Sequence, residues 1–162
     1  DGQGWIYRDG IDGWITSTPG LLLAVTVADC IPVYLIAPGR GVALLHAGWR
    51  GTAGGILGRG IDRLSAATEM PSGNILMHCG VGICGACYEV GAEVMTGCGA
   101  PVEGPGPWHL DLRETLVQQA RARGVTRITT SSHCSAHDRP RFYSHRASAG
   151  SDGRMVAYIG ML

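Results

Sequence analysis

The sequence predicts an α+β fold: a single domain in which a mixed β-sheet is flanked by helices in α/β/α-like layers. Three observations carry this expectation. Apolar runs at residues 21–28, 32–37 and 42–46 stand only a few residues apart, too close for helices between them. Two longer segments, 53–68 and 111–123, repeat apolar residues at helical spacing. Finally, 162 residues at 45% apolar and 16% charged are enough for a sizeable core and too apolar for a disordered chain.

Taken in order, LLLAVTVA (21–28), PVYLIA (32–37) and VALLH (42–46) read as three buried strands of a meander, the last two joined by the turn Pro38-Gly39-Arg40-Gly41. A helix over 53–68 follows, with Ile56, Leu57, Ile61 and Leu64 on one face and Pro71 just beyond its end. NILMH (74–78) is a fourth strand, and a short helix is expected over 88–95. Residues 97–107, rich in Gly and Pro, read as a loop. The helix over 111–123 has Asp111 as N-cap, Glu114 three residues on, and Gly124 to end it. Residues 126–130, 141–145 and 155–159 are further strands. No internal repeat or low-complexity tract interrupts the pattern.

Composition narrows the function. Thirteen arginines balance thirteen carboxylates and there is no lysine, so no basic excess points to nucleic acid or a membrane surface. An all-arginine chain reflects either coding bias or a use of guanidinium forks on bound anions. No apolar run reaches the roughly eighteen residues of a transmembrane helix. The start, Asp1-Gly2-Gln3, has neither an initiator Met nor a signal-peptide pattern, so a trimmed N-terminus or a fragment is expected. Six cysteines in a chain with this much core read as reduced thiols, hence a cytoplasmic protein.

Four stretches could carry chemistry. His46 ends a buried strand before Ala47-Gly48-Trp49-Arg50-Gly51-Thr52, where Arg50 and the N–H groups of the next helix could hold an anion; a core histidine beside a tight turn fits equally well. Cys84 and Cys87 form a C-x-x-C, either a redox pair or half a zinc site. With no second pair at matching spacing, a single thiolate beside histidines is favoured over a closed four-cysteine knuckle. His109, in Trp108-His109-Leu110-Asp111, is a ligand or an exposed loop residue. His133-Cys134-Ser135-Ala136-His137 has metal-like spacing, but the arginines that follow it fit a polar loop better.

Together TVADCIPV (26–33), HAGWRGTAGGIL (46–57), ICGACYEVGAEV (83–94), WHLDL (108–112), the Cys134 segment, FYSHR (142–146) and GRM (153–155) resemble the bacterial laccase-domain or polyphenol oxidase family. Its members are also described as purine nucleoside phosphorylases, and a peptidoglycan-editing role is attributed to some. The resemblance runs from about Asp12 to the end. It implies a metal, zinc or alternatively copper, held by His46, His109 and a cysteine. That cysteine is Cys87, with Cys84 as the alternative. It also implies that Asp29, Cys30, Arg50 and Arg146 line the same pocket, with a purine nucleoside and phosphate as partners. Members carry a further N-terminal stretch that would contribute to the pocket wall.

The chemistry so implied is phosphorolysis of adenosine, inosine, guanosine or methylthioadenosine, and hydrolytic deamination of adenosine. A zinc-bound hydroxide would attack C6 of adenosine. Phosphate gripped by Arg50, with Arg146 on the substrate, would attack C1′ of the ribose, and Asp29 would face the developing oxocarbenium charge. Two other enzymatic readings stand beside it. A copper polyphenol oxidoreductase would use the same ligands, though six histidines with no H-x-H pair do not supply a second copper cluster. A Cys–His hydrolase acting on cell-wall precursors would use Cys87 as nucleophile, with His46 or His109 as base. A non-enzymatic domain, its cysteines and histidines serving only packing, is the remaining alternative.

Overall fold

The apolar runs of β3 (Ile31–Ala37) and β4 (Gly41–Ala47) are nearly unbroken because both faces of these strands are covered. The computed structural model describes Gly4, Ile6 and residues 8–162; Asp1, Gly2 and Gln3, on which the reading of the N-terminus rests, lie outside the described residues. β3 and β4 form the expected antiparallel hairpin. They are joined by β1 (Gly13–Thr16), β5 (Leu76–Cys79) and β8 (Arg127–Thr130) in a five-stranded sheet of order β1-β4-β3-β5-β8. Only β5 and β8 run parallel, so the sheet is mixed as expected.

One face of this sheet carries Val33, Leu35, Ala43 and Leu45. Against it pack α2 (Ile56–Thr68), through the fully buried Leu57, Ile61 and Leu64, and α4 (Leu112–Ala122), through Leu112, Leu116 and Ala120. Each of the leucine and isoleucine side chains contributes on the order of 1.5–3 kcal/mol by leaving water. The Asp111 carboxylate accepts the Arg113 N–H at 2.9 Å, so α4 starts at the expected cap.

The other face differs from the expected layers. It is covered by a two-stranded ribbon rather than by helices. β2 (Leu22–Val27) pairs antiparallel with β9 (Met155–Gly160), and Leu23, Val25, Val27 and Ala157 pack on Val42 and Leu44. The three-strand meander is therefore corrected: β2 leaves the sheet of β3 and β4 to pair with the last strand of the chain. The alternation buried at Leu23, Val25 and Val27 sets which face of β2 is apolar, but not which strand takes its edge.

Other differences are local. The helix expected over 53–68 is two helices, α1 (Trp49–Ala53) and α2, because Gly55 turns the chain at φ +75°. The helix over 88–95 is replaced by β6 (Glu89–Val90) and, after Gly91, α3 (Ala92–Gly97); β6 pairs with β7 (Trp108–His109). The strand expected over 141–145 is a run of turns. There the Asp152 carboxylate accepts the Ser144 N–H, and the Ser148 hydroxyl donates to the Ser144 carbonyl, taking over groups a sheet would use.

Candidate functional site

Strand register builds the site. Ile31 pairs with Ala47, which brings Cys30, just before β3, across from Gly48, just after β4. A β-carbon at Gly48 would lie 2.9 Å from the Cys30 sulfur, so glycine there is what admits the thiol. His46, at the end of β4, faces the same cleft of about 240 Å³, which Asp12, Asp29, Arg50 and Tyr88 also line. The His46 Nδ1 meets the Asp12 carboxylate at 2.9 Å. Its pKa is pushed up to about 9, first by the hydrogen bond with the Cys30 thiol and then by Asp12, against the cost of burial.

Arg50 lies on α1, its guanidinium 4.5 Å from the centre of the Trp49 ring, and forms no ion pair with a described residue. With only five residues, α1 adds little of the helix N-terminal field expected beside it. Asp29 is buried with both oxygens engaged: Oδ1 accepts from the Ser135 hydroxyl and Oδ2 from the Arg146 N–H, each at 2.6 Å. Asp29 also sits at φ +80°, a left-handed conformation. The Arg146 guanidinium donates to the Glu89 carbonyl at 2.7 Å and stacks on Tyr88 at 5.1 Å; it does not itself line the cleft but stands behind Tyr88, which does.

The ligand set His46, Cys87 and His109 does not come together. His109 is exposed on β7 opposite Glu89, and neither it nor Cys87 lines the cleft that holds His46. Cys87 stands instead with Cys84, Cys134 and His137, whose donor atoms all lie within 4.8 Å of one another. Burial and the neighbouring Cys84 and Cys134 sulfurs push the Cys87 thiol up to about 12. Against burial, N–H donors including those of Cys84 and His137 hold the Cys134 thiol below its usual value. All six cysteines are free. The segment 133–137, whose metal-like spacing is outweighed in the sequence by a polar-loop expectation, supplies half of this group; His133 itself pairs with Asp138 at 3.1 Å.

Asp12, Tyr88 and the Ser135 link to Asp29 are absent from the sequence-level site because no spacing connects them to it. Cys134 and His137 did carry a signal, since C-x-x-C at 84–87 and C-x-x-H at 134–137 have the same spacing.

The two donor groups suit different tasks. His46 and Cys30 offer nitrogen and sulfur to a metal at the edge of an open cleft, with Asp12 on the other ring nitrogen in the manner that orients metal-bound histidines. The second group already has four donors. An imidazole, a thiol and a guanidinium without an ion-pair partner among the described residues meet at one strand-end cleft of this α+β domain, a set of donors that could hold a metal beside an anion. The chain belongs to the family described as multi-copper polyphenol oxidoreductase laccase, whose model matches residues 3–162.

Among its relatives is the purine nucleoside phosphorylase YlmD of Geobacillus stearothermophilus, 39% identical over 93% of this chain and 60% of its own length. Its crystal structure superposes with a TM-score of 0.86, covering 94% of this chain and 61% of that one. A purine nucleoside phosphorylase of Deinococcus radiodurans is 40% identical, over 93% of this chain and 61% of the relative. An adenosine deaminase of an unknown prokaryotic organism is 33% identical, over 93% and 62%. The chain thus spans about three-fifths of the length of the curated relatives it matches. Among the described residues, no helix is long and apolar enough to cross a membrane.

Proposed function

We propose that this chain carries the reaction cleft of a metal-dependent purine nucleoside enzyme. It would cleave adenosine, inosine, guanosine or methylthioadenosine with phosphate and deaminate adenosine, in the cytoplasm. The observation that supports this most is the convergence of Cys30, His46 and Arg50 on one cleft, in a chain whose relatives are named for these two activities. The ligand assignment moves accordingly, from His46, Cys87 and His109 to His46 and Cys30. A zinc or copper ion held there would supply Lewis-acid activation of water or phosphate.

The chain's own residues do the rest. Asp12 fixes the His46 ring through Nδ1, leaving Nε2 as the ligating atom. Arg50, without a carboxylate partner among the described residues, binds a phosphate dianion as a fork. Tyr88, backed by the Arg146 guanidinium, offers an aromatic face at the cleft wall for a purine. Asp29 acts as a positioning residue: it ties Ser135 and Arg146 to the start of β3, and its buried negative charge favours a cationic ribose nearby.

A second reading rests on one observation. Cys30, His46 and Asp12 also follow the order thiol, imidazole, carboxylate of a cysteine hydrolase. Metal analysis paired with chromatography of adenosine plus phosphate separates the two. Adenine or inosine formed with zinc present, and lost on chelation, supports the nucleoside enzyme. Activity that survives chelation and dies with a thiol reagent supports the hydrolase. Copper with phenol oxidation would replace both by an oxidoreductase.

A further inference from the structure

We infer that Cys84, Cys87, Cys134 and His137 form a closed structural zinc knuckle, separate from the reaction cleft, which staples the 84–87 turn to the 134–137 turn. The donor set is the first reason. Three thiols and an imidazole converge within 4.8 Å with no disulfide among them. Tetrahedral zinc, with bonds of about 2.3 Å to sulfur and about 2.0–2.1 Å to nitrogen, places its ligand atoms about 3.4–3.8 Å apart. Cys84 Sγ and His137 Nδ1 already stand at 3.7 Å. Four protein donors leave no open position, which marks a structural rather than a catalytic site.

The backbone is the second reason. Each half is a tight turn presenting donors at positions i and i+3: the Cys87 N–H donates to the Cys84 carbonyl at 3.0 Å, and the Asp138 N–H to that of Cys134 at 2.9 Å. The halves are locked side by side by the bridge between Gly82 and Cys134 and by the Ser135 N–H on the Gly82 carbonyl. Across them the Cys84 N–H donates to the Cys134 sulfur at 3.3 Å, a contact that favours a thiolate there.

The location is the third. Between β8 and β9 the chain has no helix or strand of its own, and a clip across a 50-residue separation would hold that stretch in place. The knuckle would also brace the cleft. Ile83 and Tyr88, which flank its first half, line the cleft, and Ser135, next to Cys134, holds Asp29. Zinc loading would release the thiol protons to solvent, with no change of oxidation state.

The test uses His46→Ala, which removes the imidazole of the cleft and leaves the knuckle untouched. Expected is about one zinc per chain, with an X-ray absorption shell of three sulfurs and one nitrogen. Adding Cys134→Ser should abolish that zinc. If this double variant fails to fold, cobalt substitution of the unmutated chain still reports the site through tetrahedral bands with strong thiolate charge transfer. Zinc absent from His46→Ala, a shell of oxygen and nitrogen only, or Cys84 and Cys87 recovered as a disulfide would overturn the inference. A loaded knuckle in a chain without nucleoside turnover would leave this inference standing and retire the nucleoside reading. Turnover with the knuckle empty would do the reverse.

Discussion

Replacing Asp29 tests how the cleft is held together, because its carboxylate joins two distant parts of the chain. Its oxygens accept from the Ser135 hydroxyl and the Arg146 N–H, both at 2.6 Å, and Ser135 is fully buried. In Asp29→Ala both donors lose their acceptor. A buried donor left unpaired costs about 1–3 kcal/mol, and since Ser135 is buried while Arg146 is an exposed residue, the variant should lose about 1–3 kcal/mol of stability, chiefly through Ser135. Alanine also inherits the φ of +80°, which costs a residue with a β-carbon about 1–2 kcal/mol and gives alanine no local hydrogen bond in return. Asp29→Asn behaves differently. Its amide oxygen can accept from Arg146, its amide nitrogen can donate to the Ser135 oxygen, and asparagine tolerates the left-handed region. Only the charge assistance goes, about 1 kcal/mol. Urea unfolding followed by circular dichroism, at matched metal content, measures both. The midpoints should shift with the denaturant slope unchanged. At about 2–4 °C per kcal/mol for a chain of this size, the two variants should be clearly separated in melting temperature as well. An alanine variant that loses less than about 1 kcal/mol, or an asparagine variant as damaged as alanine, would refute the bridging role.

Three further outcomes are expected. Gly48→Ala pushes a methyl group against the Cys30 sulfur, so it should lose the cleft metal while costing about 1–3 kcal/mol of stability, read by metal analysis beside unfolding. Arg50→Ala should raise the phosphate concentration needed for phosphorolysis by about tenfold or more, the worth of a charge-assisted hydrogen bond, and affect deamination less; equal loss of both, measured chromatographically, would remove Arg50 as the anion fork. In the chelated chain His46 titrates near 9 rather than 6.5, so its folded form binds the proton more tightly than the unfolded one. The stability it confers is complete below pH 6.5 and is lost as pH rises through 9; His46→Gln should show no such slope.

Much of the scaffold is legible in the residues themselves. The helical spacing of Leu57, Ile61 and Leu64, the Asp111 cap and the apolar alternation of β2, β3 and β4 are local properties, set by the period of each element and by hydrogen bonds within a few residues. The family and the nucleoside reading likewise rest on short motifs along the chain. What folding alone decided is which distant pieces meet. β2 pairs with β9 rather than β3 because strand edges are satisfied by whichever partner the tertiary arrangement brings alongside. Cys87 leaves the predicted ligand set because the register of Gly82 against Cys134 carries it to His137, while the register of β3 against β4 carries Cys30 to His46. A side chain's chemistry is written in its identity, but its partners are fixed by backbone pairing across a separation that no local spacing records.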